Sequence, residues 1–155
     1  MPEKILVSDQ FKCTGCRSCE VWCSFYHLRE INPSRARLSI VAYEDKGVFV
    51  PMICHQCRDA WCLSECPVNA ITRDPETDAV VINDSLCNGC LACADACLFG
   101  AIKITEAGDV YKCDLCQGDP VCVQSCTRGA LTYTEATRAY LDKLTALADR
   151  MEGTV

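Results

Sequence analysis

Cys87-Asn88-Gly89-Cys90-Leu91-Ala92-Cys93-Ala94-Asp95-Ala96-Cys97 places four cysteines at the spacing C-x2-C-x2-C-x3-C. The same spacing recurs at Cys13, Cys16, Cys19 and Cys23. Two looser copies stand at Cys54, Cys57, Cys62, Cys66 and at Cys113, Cys116, Cys122, Cys126. These four groups use all 16 cysteines of the 155-residue chain.

The spacing suits a cubane iron–sulfur cluster. Three thiolates two residues apart on a tight loop can hold three corners of one cube, while the cysteine three residues further on points away and serves a different cluster. Gly15 and Gly89 precede the second cysteine of their motifs, where a residue without Cβ can take positive φ and turn backbone N–H groups toward sulfur.

Two other uses of so many cysteines are disfavoured. A secreted disulfide scaffold calls for an export signal, and the opening MPEKILVSDQ has neither a basic n-region nor an apolar h-region. Structural zinc is usually held by separated C-x2-C pairs, whereas three cysteines at successive x2 spacings match the corner of a cube.

Length predicts one domain, or two half-domains sharing a core. Apolar residues make up 50% of the chain, but cysteine supplies 16 of them, so the conventional core is thin and folding is expected to couple to cofactor insertion. The formal charge is −6, with 8 basic and 8 acidic side chains in residues 1–70 against 7 and 13 in residues 71–155. This balance excludes a nucleic-acid binder, which needs a basic face, and the acidic half could steer a basic redox partner. No apolar stretch reaches the roughly 20 residues of a membrane span. The expected compartment is the cytoplasm, with no direct membrane insertion.

Residues 4–7 read as a strand leading to the first motif, and residues 24–28 as a helical turn ending before Asn32-Pro33. Three hairpins follow: residues 37–43 with 48–50, 71–73 with 80–82, and 102–104 with 110–112, each pair joined by turn-forming residues. Cys66-Pro67-Val68-Asn69-Ala70-Ile71, Cys97-Leu98-Phe99-Gly100-Ala101-Ile102 and Cys126-Thr127-Arg128-Gly129-Ala130-Leu131 share a C-x3-A-[IL] tail, an internal repeat. It reads as a short helix holding the last cysteine, a small Ala near the cluster, then a strand. Motifs two and three, residues 50–104, thus resemble one bacterial two-cluster ferredoxin, with motifs one and four closing a second such unit around it.

The tail differs. Thr132-x-x-Glu135 has the pattern of a capping box, and Tyr140, Leu144, Leu147 and Met151 form an apolar stripe before Gly153. The expectation is an amphipathic helix over residues 134–152. It would either pack on its own domain or dock on a catalytic subunit or another copy.

With all four groups placed, residues 4–133 resemble the four-cluster electron-transfer subunits of molybdenum or tungsten pterin oxidoreductases. These include the small subunits associated with dimethyl-sulfoxide reductases, formate dehydrogenases, formate hydrogenlyase and some tungsten aldehyde oxidoreductases. The resemblance implies an α+β fold of two interleaved ferredoxin-like units and four 4Fe-4S clusters, bringing the loaded chain to a charge of about −14. It also implies the ligand sets: Cys13, Cys16, Cys19 with Cys126; Cys113, Cys116, Cys122 with Cys23; Cys54, Cys57, Cys62 with Cys97; and Cys87, Cys90, Cys93 with Cys66. Only Cys66 is followed by proline, so the other three turns lack a residue that helps fix and shield such a site.

The implied function is one-electron hopping between clusters. The chain would wire a catalytic pterin-metal subunit oxidising an aldehyde or formate to a ferredoxin, a hydrogenase, a flavoprotein or more copies of itself; the rival is a free polyferredoxin serving several enzymes. With no Gly-rich dinucleotide fingerprint and no spare cysteine, the chain reads as a conductor and not a catalyst. His55, beside Cys54, reads as a partly exposed loop histidine, with a proton gate as the sharper alternative; the only other histidine is His27. Trp22 and Trp61 each precede a cysteine and read as shields against water. Lys12 and Lys112 precede the first cysteines of motifs one and four, where each either raises a nearby potential or is ordinarily solvated.

Overall fold

The computed structural model describes residues 4–137. Its elements run β1 (Lys4–Ser8), α1 (Ser18–Leu28), β2 (Ser39–Tyr43), β3 (Val48–Met52), α2 (Trp61–Ser64), β4 (Ile71–Arg73), β5 (Val80–Ile82), α3 (Ala92–Ala96), β6 (Lys103–Ile104), β7 (Val110–Tyr111), α4 (Val121–Gln124) and β8 (Leu131–Glu135). Every sheet among the described residues is a two-stranded antiparallel ribbon: β1 with β8, β2 with β3, β4 with β5, β6 with β7. This is a small mixed α/β fold in which short elements frame cysteine loops.

The three hairpins form from alternating β-branched runs closed by turn residues. Asp74 shows how: its carboxylate accepts from Thr77 N (2.8 Å), Glu76 N (3.0 Å) and the Thr77 hydroxyl (2.9 Å), fixing the turn between β4 and β5. Pro51 sits inside β3 opposite Ile40, which a two-stranded ribbon tolerates because each strand has a free edge.

The pairing of β1 with β8 joins the two ends of the described chain, from Lys4 opposite Glu135 to Ser8 opposite Leu131. Thr132 and Glu135 are therefore strand residues facing Val7 and Lys4, and not the cap of a helix. A local capping pattern yields here to a partner strand. Residues 136–137, directly after β8, are helical, so the helix expected over residues 134–152 starts two residues late; residues 138–152 lie outside the described residues.

Two clusters of buried side chains organise the interior. One joins Leu6, Leu38, Ile40, Ile53, Leu115 and Leu131 to Cys19, Cys23 and Cys122. The other joins Ile71, Val80, Ile102 and Val110 to Cys93. α1 packs on α4, and α2 on α3, so motif one meets motif four and motif two meets motif three. No helix among the described residues is long and apolar enough to cross a membrane.

Candidate cluster-binding sites

Each cysteine loop turns back on itself through a positive φ between its first and second cysteine: +71° at Gly15, +47° at Gln56, +70° at Gly89 and +58° at Leu115. Glycine at two of these positions was legible in the sequence. Gln56 and Leu115 hold the same region at a cost of roughly 1–2 kcal/mol each, and tertiary contacts hold Gln56 there. Its side chain is buried, donating to Cys113 O (2.9 Å) and accepting from Val80 N (2.8 Å).

The third cysteine of every motif, Cys19, Cys62, Cys93 or Cys122, is the second residue of its helix. The sequence reading put the last cysteine on the helix. Instead Cys66, Cys97 and Cys126 lie just past α2, α3 and α4, because the repeated tail is a turn. Its backbone reverses at Asn69 (φ +51°), Gly100 (+59°) and Gly129 (+63°). The next N–H, from Ala70, Ala101 or Ala130, then points back at the sulfur, at 3.3, 3.4 and 3.2 Å from Cys66, Cys97 and Cys126 Sγ. The bond is the same length with or without proline after the cysteine. Cys23, inside α1, receives the equivalent bond from a distant donor, Arg37 N, at 3.3 Å.

The cysteines converge in fours. Cys13, Cys16, Cys19 and Cys126 line one small cavity under Ile40, Pro51 and Leu131. Cys54, Cys57, Cys62 and Cys97 line another of about 340 Å³, walled by Trp61, Leu98 and Phe99. Cys66, Cys87, Cys90 and Cys93 line a third. In the fourth group, burial raises the Cys122 thiol, and the neighbouring Cys113, Cys116 and Cys23 raise it further.

The same electrostatics place the groups in order. Burial pushes the Cys113 thiol up to about 12, with Cys54 adding to it. Cys62 adds to the burial that raises Cys93, and Cys19 to that of Cys122. The groups therefore form a row: Cys66/87/90/93, Cys54/57/62/97, Cys23/113/116/122, Cys13/16/19/126. Cys90 and Cys16, one in each end group, are exposed.

Burial also pushes Cys19 up to about 12, helped by Glu20, and Cys116 up to about 11, although Val121 N–H opposes it. Cys66 runs the other way: slight burial raises it, but the N–H groups of Ala70 and its neighbours outweigh that and lower it. None of the sixteen cysteines forms a disulfide. Four converging thiols per group, with N–H donors aimed at the fourth sulfur, are a donor set that fits a tetrathiolate cluster.

The other candidates sort by contact. Lys12 is an exposed side chain 3.8 Å from Asp9, whereas Lys112 is buried. Trp22 and Trp61 are 52% and 53% exposed, which makes them half-solvated edges and not enclosed shields. Trp22 packs edge-on against Phe25. His55 is half-buried and packs against Phe99, with centroids 4.3 Å apart and the rings tilted by 55°.

His27, which the sequence did not single out, has Nε2 3.8 Å from Cys116 Sγ and 3.5 Å from Asp114 Oδ1. These three residues could bring ligand atoms together within 4.8 Å, but the Arg37 guanidinium already pairs with Asp114 at 2.9 Å. Burial, with Arg37 next, holds the imidazole below its ordinary value. Only the fold reveals this contact, since 89 residues separate His27 from Cys116.

Residues 46–136 match the 4Fe-4S dicluster domain. Formate hydrogenlyase subunit 2 of Escherichia coli (strain K12) is 41% identical over 102 residues, covering 66% of this chain and 48% of that protein. The polyferredoxin-like subunit of an aliphatic sulfonate oxidoreductase from Pyrococcus furiosus is 43% identical over 104 residues, covering 66% of this chain and 60% of that protein. The chain thus spans about half the length of the curated relatives it matches. A chain in the active site complex BamBC of benzoyl coenzyme A reductase superposes with a TM-score of 0.53 at 27% identity, covering 96% of both chains.

Proposed function

The chain belongs to the 4Fe-4S dicluster domain family, and from that premise we propose that it is the iron–sulfur electron-transfer subunit of a larger oxidoreductase, without a catalytic centre of its own. The reading rests above all on the convergence of the sixteen cysteines into four groups of four, three of which each line a cavity of their own, with an exposed cysteine in each outer group. Each group is assigned one 4Fe-4S cluster, three thiolates coming from one motif and the fourth from its partner motif. On this assignment the fold is two interleaved ferredoxin-like units, motif one with four and motif two with three.

A bound 4Fe-4S cluster supplies a one-electron couple. The chain's part is to hold and tune it. The cysteine loops fix ligand positions, and the N–H groups of Ala70, Ala101, Ala130 and Arg37 stabilise negative charge on their sulfurs. Packing of Leu6, Ile40, Leu115 and Leu131 buries Cys19, Cys23 and Cys122 of motifs one and four.

The partner is assigned to the molybdenum or tungsten pterin oxidoreductases acting on an aldehyde or formate. A formate hydrogenlyase subunit among the relatives supports this choice. The segment beyond β8 is assigned to docking. Anaerobic purification tests the reading: about sixteen irons per chain, bleaching by dithionite and a stoichiometric catalytic partner are expected. Zinc in place of iron would overturn it, and recovery as a clean monomer would leave a free polyferredoxin.

A further inference from the structure

Lys112 follows β7 and immediately precedes Cys113, and it is 3% exposed. Its ammonium donates to Val80 O, to Cys113 O at 3.1 Å and to Gln56 Oε1 at 3.5 Å. Three acceptors meet the three N–H donors of a charged amine, and all three are neutral. Among the described residues no carboxylate forms an ion pair with it. A cation removed from water without a counter-charge is costly, so an anion must compensate it from elsewhere.

The candidates stand on two sides. Lys112 lines the cavity of Cys54, Cys57, Cys62 and Cys97, and its own neighbour Cys113 belongs to the next group in the row. Its hydrogen bonds tie the same two groups together, since Gln56 lies inside motif two and Cys113 opens motif four. We propose that Lys112 is the built-in counter-cation of the two inner cluster sites and raises their reduction potentials above those the same ligands would give without it. A fixed positive charge favours the more negative, reduced state of a nearby centre, and in a buried site it is little screened.

The matching lysine of motif one behaves otherwise. Lys12 occupies the matching position before Cys13, yet its side chain is 59% exposed and faces Asp9, so solvent and that carboxylate screen it. The equivalent sequence positions thus have unequal electrostatic weight.

The inference rests on the four-cluster reading, and the experiment separates the two. Anaerobically prepared holoprotein is titrated with dithionite and followed by electron paramagnetic resonance for wild type, Lys112→Gln, Lys112→Arg and Lys12→Gln, with iron measured in each. Lys112→Gln is expected to weaken reduction of two couples about tenfold, or about 59 mV, while the other two stay in place. Lys112→Arg should restore both, and Lys12→Gln should move none. Iron lost in Lys112→Gln and regained in Lys112→Arg also supports the charge role. Four couples unmoved or moved alike in Lys112→Gln, or iron lost in both Lys112 variants, would reduce the residue to packing and overturn the proposal while leaving the cluster reading intact. Wild type without iron would overturn both.

Discussion

Gly15→Ala tests the loop that carries the first motif. Gly15 holds φ +71°, and a Cβ built there would lie 2.4 Å from Phe49 Cδ1, 2.6 Å from Cε1 and 2.7 Å from Cγ. Carbon atoms rest at about 3.5–4.0 Å, so the ring must move by about an ångström or more. It has little freedom to do so, because Phe49 pairs with Ala42 in the β2–β3 ribbon and packs on the cluster containing Cys19, Ile40 and Leu131. The backbone contributes about 1–2 kcal/mol of strain and the overpacking about 1–3 kcal/mol, for a total of about 2–5 kcal/mol. Gly129 is the control: its φ is +63° but nothing lies within 4 Å of a Cβ there, so Gly129→Ala costs only the backbone share. Denaturant-induced loss of visible absorbance, measured anaerobically on both variants, gives the comparison. Adding Phe49→Leu to Gly15→Ala should recover part of the difference, a coupling read from the double-mutant cycle. Equal destabilisation of the two alanine variants, or no coupling with Phe49, would refute the reasoning.

Gln56→Ala leaves Val80 N–H without its acceptor and Cys113 O with Lys112 alone, for a loss of about 2–4 kcal/mol. Amide exchange at Val80 should accelerate accordingly, and unchanged protection there would count against the bond. Cys126→Ala should alter the same resonance signal as Cys13→Ala and a different one from Cys122→Ala; a spectrum matching Cys122→Ala would place the fourth cysteine back in its own motif. The thiols of Cys19 and Cys113, raised by burial from 9.0 to about 12, stabilise the metal-free fold below about pH 9. That contribution is lost as pH climbs toward 12, because the unfolded thiols ionise first. Circular-dichroism melts should therefore show the metal-free chain weakening above about pH 9 while the loaded chain, whose ligands are already thiolates, lacks that fall; identical pH profiles would argue against neutral buried thiols.

Much of the architecture was readable residue by residue. The strands of the second hairpin, Ile71–Arg73 and Val80–Ile82, lie where β-branched runs flank a Pro-containing turn. Positive φ at Gly15 and Gly89 follows from the need to reverse a loop within two residues. The C-x3-A tail announced itself as a repeat, but its hydrogen bond to sulfur needed coordinates, because residue type does not say where an N–H points. The same local logic misread Thr132 and Glu135, whose capping pattern is overridden once β1 offers five residues of strand partner.

What the amino-acid order alone determined is the chemistry of the loops: sixteen thiols in four groups, with reversals and short ribbons between them, because these follow from spacings of a few residues. Only the tertiary structure decided who meets whom. Arg37 reaches Cys23, His27 reaches Cys116, Gln56 spans 57 residues to Cys113, and of two lysines in matching positions one is buried and one is wet. The physical reason is that burial and long-range contact arise from how helices and ribbons pack, an outcome no local pattern encodes.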